Sequence, residues 1–178
     1  MKALACALLV MVAACGQGRA IFNVDVYSFM QGTGKDTIPY VIPPASSASA
    51  SKVQKINLPP GFGSSVVDSV RITTGSINLQ NTGGSGTIGL QLYFASDSAG
   101  TYTAPVALNI PATAVTGTQT VPVIISGDLS GVVDSLFRQE TVYMRIAATG
   151  TNGGVTPVTG RGIMTSLLIR VVIQDKVF

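Results

Sequence analysis

Histidine and tryptophan are absent from this 178-residue chain, glutamate occurs once (Glu140), and the only cysteines are Cys6 and Cys15. Without imidazole the chain has neither the commonest general base nor the commonest metal ligand. Charged residues make up 11% of the chain, well under the ~25% of an ordinary soluble domain. Low charge does not mean disorder here, because 46% of the residues are hydrophobic. No lysine lies between Lys55 and Lys176, so solvent faces must be covered by Ser, Thr, Asn, Gln and Gly.

β-Branched residues are abundant. Residues 15–178 hold 19 Val, 14 Ile and 18 Thr against 9 Leu. These side chains are stiff at χ1 and pack well on a pleated surface. The composition therefore excludes a helical bundle, a coiled coil, a disulfide scaffold and any histidine-based chemistry. About 160 residues fit one domain and can bury a core without disulfides or metal.

Lys2 is followed by an apolar run from Ala3 to Val12 and then by Ala13-Ala14-Cys15-Gly16. A positive start, a short apolar stretch and small residues at a cut site are the parts of a secretory signal. The apolar run is shorter than the ~20 residues that a membrane-spanning helix needs. Val12-Ala13-Ala14-Cys15 resembles the lipobox of bacterial lipoproteins. The resemblance implies that signal peptidase II removes residues 1–14. Cys15 would then become the lipidated first residue, and residues 15–20 a tether. Two or three acyl chains hold a protein stably on a bilayer, where one does not. Gly16 stands where aspartate would mark inner-membrane retention in the enterobacterial pattern, so the resemblance favours the outer membrane. Cys6 would leave with the signal, and the mature domain would keep neither a disulfide nor a free thiol.

The formal net charge of +3 is unevenly laid out. Residues 56–175 carry Arg71, Arg138, Arg145, Arg161 and Arg170 against Asp68, Asp97, Asp128, Asp134, Glu140 and Asp175. No basic stripe exists there, and nucleic acid is not an expected partner.

Period-two alternation runs through most of residues 21–178 and predicts an antiparallel β-sandwich of about eight or nine strands. Residues 21–30 and 38–42 read as strands, the second demoted to an edge by Pro39. The Pro/Ser/Ala-rich stretch 43–51 reads as a flexible loop. Residues 53–58 read as a short strand. Val66, Val70 and Ile72 share one parity and Ile77 and Leu79 the other, so a bulge is expected near Gly75. Residues 66–80 and 88–94 flank a Gly-rich turn and read as a hairpin. Further strands are expected around 106–110, 121–125, 142–148 and 163–172, the last nearly all apolar and so central. Leu129, Val132, Val133, Leu136 and Phe137 fall at helical spacing. They predict one short helix over 128–138, capped by Asp128 and ended near Arg138.

The catalytic look-alikes fail on context. Gly84-Ser85-Gly86-Thr87-Ile88-Gly89 matches a dinucleotide fingerprint, but a strand follows where a helix must. Gly32-Thr33-Gly34-Lys35 lacks the rest of a phosphate-binding loop, and Ser49-Ala50-Ser51-Lys52 lacks the partner motifs of a penicillin-binding enzyme. Asp97-Ser98-Ala99-Gly100 reads as a turn rather than a calcium loop. Asp68 shares parity with Val66 and Val70, which would turn it inward as a buried polar anchor in need of partners, but as a strand-end residue it is expected to reach solvent. The closing Phe178 resembles the last strand of outer-membrane barrels, but the aromatics form no girdles.

The sequence therefore implies a non-catalytic cell-envelope lipoprotein with a structural or binding role, without cofactor, metal site or catalytic residues. Its expected partners are the membrane, through Cys15, and envelope proteins or glycans. One alternative is a binder of a small apolar or glycan ligand, with Tyr93, Tyr102 and Tyr143 as outward-facing candidates. Another is a polymerising surface subunit that donates residues 21–30 as a strand.

Overall fold

The computed structural model describes residues 18–58 and 66–175. Ten strands run through them: β1 (Gly18–Asp25), β2 (Thr37–Ile42), β3 (Ser46–Asn57), β4 (Val66–Gly83), β5 (Ser85–Ala95), β6 (Leu108–Thr116), β7 (Gln119–Ile124), β8 (Gly127–Asp128), β9 (Thr141–Asn152) and β10 (Val158–Asp175). All pairing is antiparallel. In the larger sheet β10 is central, with β1 and β2 sharing one side of it and β4 on the other; β7 and β8 share the far side of β4. The smaller sheet runs β3-β9-β5-β6. The orders β2-β10-β4-β7 and β3-β9-β5-β6 follow the jelly-roll path, in which the chain passes repeatedly from one sheet to the other.

The inward residues of both sheets form one core, including Val24, Ile42, Leu79, Leu92, Met144 and Ile169, each at most 5% exposed. Beside Ile38, Tyr40, Leu79 and Ile146 the packing leaves a cavity of about 10 Å³. That space suits at most one water, and a second gap, beside Ile42 and Ile88, measures about 50 Å³.

Phase changes along β4 explain two sequence features. A register shift opposite Leu168 and Ile169 leaves Thr73 without a partner, and the inward set passes from Val70 and Ile72 to Gly75, Ile77 and Leu79. Gly75 lies under Ile125, whose Cβ is 2.7 Å from where a Gly75 Cβ would stand. The bulge is thus where the alternation placed it. A second shift, opposite Val172 and Ile173, turns Asp68 outward, and its carboxylate lies 3.6 Å from Arg19. Asp68 thus reaches solvent, as expected of it, because the bulge overrides the parity that it shares with Val66 and Val70.

Three further expectations are corrected. Residues 46–51 are not a flexible loop but the first half of β3, paired residue by residue with β9 from Asn152 to Ala147. The inward positions there are Ser46, Ala48 and Ala50, small enough for the narrow gap where Ile42 and Ile88 also lie. β4 and β5 form no hairpin, because Gly84, at φ +73°, carries the chain across into the other sheet. Residues 128–138 contain no α-helix: β8 is followed by turns and a 3-10 turn at Leu136–Arg138. Gly131 sits at φ +79°, a left-handed conformation that ends a right-handed helix before it begins. Leu129, Val133 and Phe137 are nevertheless buried, because bonds from Val133 N–H to the Leu129 carbonyl and from Phe137 N–H to the Val133 carbonyl keep a helical spacing. Phe137 meets Phe94 at 6.1 Å between ring centroids and closes that end of the sandwich.

β1 extends its own sheet, pairing eight residues with β10 from Gly18↔Asp175 to Asp25↔Leu168. Of the segment read as a donated arm, residues 21–25 are therefore paired at home; the strand expected through Met30 ends at Asp25 before a 3-10 turn at Tyr27–Phe29, and residues 18–20, expected as tether, already belong to β1. Cys15, the signal peptide and Phe178 lie outside the described residues.

Candidate functional site

The two outer faces of the sandwich differ. On the four-stranded sheet, β9 and β5 present Thr141, Tyr143, Arg145 and Ala147 against Ala95, Tyr93 and Gln91. Tyr93 stands directly opposite Arg145, with Val53 of β3 on the other side. The guanidinium carbon lies 3.8 Å from the centre of the Tyr93 ring and 4.8 Å from that of Tyr102. Both distances are within cation–π range.

Tyr102 reaches this face from the connection between β5 and β6. Asp97 accepts the Gly100 N–H at 2.7 Å, and a 3-10 turn follows over Gly100–Tyr102. Thr101 is fully buried, and its carbonyl accepts a hydrogen bond from Arg145 Nε at 3.0 Å. Asp97 thus does turn chemistry, and among the described residues no three potential metal ligands of the His, Cys, Asp and Glu types gather.

Arg145 is 9% exposed, and among the described residues no carboxylate lies within ion-pair distance of it. Its Nε is bonded, whereas its terminal amino groups have no acceptor among the described residues and are not among the buried unpartnered atoms. A guanidinium carries five N–H donors in a fixed plane, so four remain for a ligand or for water. Beside it the Tyr93 hydroxyl donates to Gln91 Oε1 at 2.7 Å, and Gln91 Nε2 donates to Asn109 Oδ1 at 3.3 Å. Small residues continue the floor: Ser51 and Ala147, then Ser49, Thr149 and Gly89.

The structure therefore gathers two of the three tyrosines, Tyr93 and Tyr102, around a cation that alternation alone did not single out. Tyr143 lies two residues along β9, between Lys55 and Ala95. Arg145 was legible as an outward residue among apolar neighbours. Its contact with Tyr102, across 43 residues of chain, was not.

The outer face of the six-stranded sheet carries Arg19, Arg71, Arg161 and Arg170. Arg19, Arg71 and Arg170 surround an open trough of about 500 Å³, together with Ile21, Asp68 and Val172. Arg71 pairs with Asp128 at 2.9 Å. Hydrogen bonds from Ser130, with Arg71 beside them, hold the Asp128 carboxyl below the usual carboxylate range. Arg161 Nε donates to Gln80 Oε1 at 2.9 Å. Exposed aliphatic residues share this face, Ile21 on β1 and Ile124 on β7 among them.

No protein-family model and no curated protein matches the chain. Solved structures resemble it distantly. The structure of the infectious bursal disease virus Gx strain is 10% identical, covers 90% of this chain and 37% of its own, and has a TM-score of 0.40. PirA is 13% identical, covering 78% of this chain and 93% of its own, with a TM-score of 0.30. TmCBM61 in complex with beta-1,4-galactotriose is 10% identical, covering 84% and 86%, with a TM-score of 0.33. This chain thus spans little more than a third of the first of these.

Proposed function

We propose that this chain is an exported, lipid-anchored and non-catalytic protein of the cell envelope, favouring the outer membrane, whose sandwich has a structural or binding role. The observation that carries the reading is the position of Cys15. It closes the lipobox-like Val12-Ala13-Ala14-Cys15 and stands three residues before β1 begins at Gly18. Three residues reach about 10 Å when extended. An acylated Cys15 would therefore hold the start of β1 within headgroup distance of the bilayer. Arg19 and Ile21, the first residues of β1 on the trough face, are a cation and an exposed aliphatic of the kind that suits such a surface. The outer face of the four-stranded sheet points the other way and is free to meet envelope components.

Metabolic labelling with a radioactive fatty acid tests the anchor. The wild-type chain should take up label, and Cys15→Ser should lose it and accumulate unprocessed. Equal label on both would end the lipoprotein reading.

A second reading, glycan binding, is favoured by Tyr93, Tyr102 and Arg145 on the outward face. Carriage between the sheets finds little room in gaps of about 10 and 50 Å³. Strand donation by residues 21–30 loses its mechanism, since β1 is paired with β10.

A further inference from the structure

We infer that Arg145, framed by Tyr93 and Tyr102, is a binding site for a carboxylate-bearing sugar, a uronate unit of an acidic glycan. The inference rests on the binding role proposed above and names its ligand class. It does not depend on the lipid anchor.

A carboxylate has two acceptor oxygens at the spacing of the guanidinium fork, and the pair is among the strongest charge-assisted contacts. Arg145 is prepared for it in three ways. Its Nε is fixed on the Thr101 carbonyl, its plane is held by two rings, and no protein carboxylate competes for it among the described residues. Fixing the fork before the ligand arrives removes much of the ordering cost of association. The 9% exposure limits screening by solvent.

The surroundings favour a sugar over a bare anion. Tyr102 is 62% exposed, leaving ring surface on which the C–H face of a pyranose can lie. Gln91 and Asn109 supply amide groups on the same face, and Ser51, Ala147 and Gly89 keep the floor low enough for a ring to approach. A latch for the loop over residues 97–103 would need only the Nε bond. It would predict no ligand and no consequence for binding when Tyr102 is truncated.

Calorimetric titration of the full chain in detergent micelles tests this with three probes: tri-galacturonate, its fully methyl-esterified form, and inorganic phosphate. The acid should bind saturably, and the ester, with the same ring and no charge, at least about tenfold more weakly. Tyr102→Ala should weaken the acid about tenfold without disturbing the fold, since most of the ring is already in solvent. Arg145→Lys keeps the charge but loses the fork, and should weaken it similarly. Absence of saturable binding by the acid would overturn the inference. So would equal affinity for acid and ester, an unchanged affinity in Tyr102→Ala, or phosphate binding as tightly as the trisaccharide. Failure on any of these counts leaves the labelling of Cys15, and the anchor it reports, untouched.

Discussion

Asn81 is 2% exposed, and the two N–H groups of its amide are shared among the carbonyls of Gly83, Gly84 and Gly117. Its oxygen accepts from the Tyr40 hydroxyl at 3.3 Å. Burial raises the pKa of Tyr40, which stays a protonated donor at neutral pH. Asn152, 3% exposed, shares its two amide N–H groups among the carbonyls of Ile42, Pro43 and Thr156 and accepts from the Gly154 N–H. Together the two amides satisfy backbone groups at four of the six connections that pass between the sheets: β2 to β3, β4 to β5, β6 to β7 and β9 to β10. A buried carbonyl left without a partner costs about 1–3 kcal/mol. Asn81→Leu, which keeps the volume and removes the donors, should therefore lower stability by about 2–3 kcal/mol in urea unfolding. Thr82→Ala, one residue along and exposed, should fall within about 0.5 kcal/mol of wild type. Equal midpoints for the two variants would show that water replaces the amide. The signal for this was present in the sequence, since Asn81 continues the parity of Ile77 and Leu79. The polar residues after it made it read as the start of a turn.

At the scale of elements, alternation located strands well and named their partners badly. Val66 to Gln80 and Ile88 to Phe94 were legible as half-buried strands. A period of two says which face is apolar, not which strand lies alongside, and here the partners are β10 and β9. Residues 128–138 show the reverse limit. Helical spacing follows from isolated i→i+4 turns as readily as from a helix, and only the left-handed Gly131 tells the two apart. The Ser/Ala run hid a strand because strand signals come from β-branched bulk, while the gap beside Ile42 and Ile88 admits only small side chains. That assignment can be checked by hydrogen exchange. The inter-strand amides of residues 46–51 should exchange as slowly as those of residues 53–57, since both halves of β3 pair with β9. Exchange at the rate of an unstructured peptide through 46–51 would mean that β3 begins only at Lys52 or later.

For the molecule as a whole, the all-β class, the sandwich and the central place of β10 follow from composition and patterning. The jelly-roll path does not, because it depends on pairs such as Ile42↔Val158 and Ser46↔Asn152, each more than a hundred residues apart. The proposed binding surface was half legible for the same reason: two of its tyrosines could be placed outward, but not brought onto Arg145. With the proposed lipid anchor, β1 and its arginine-bearing sheet would lie toward the bilayer and the Tyr93–Arg145–Tyr102 face away from it. That arrangement depends on covalent lipid at Cys15, the cysteine three residues before β1. The most direct measurement is mass spectrometry of the trypsin-digested protein taken from membranes. A lipid-anchored chain should give an N-terminal peptide running from Cys15 to Arg19, C-G-Q-G-R, heavier by a diacylglyceryl group. An unmodified peptide spanning Cys15, or a mature chain that starts beyond it, would contradict the anchor and the orientation built on it.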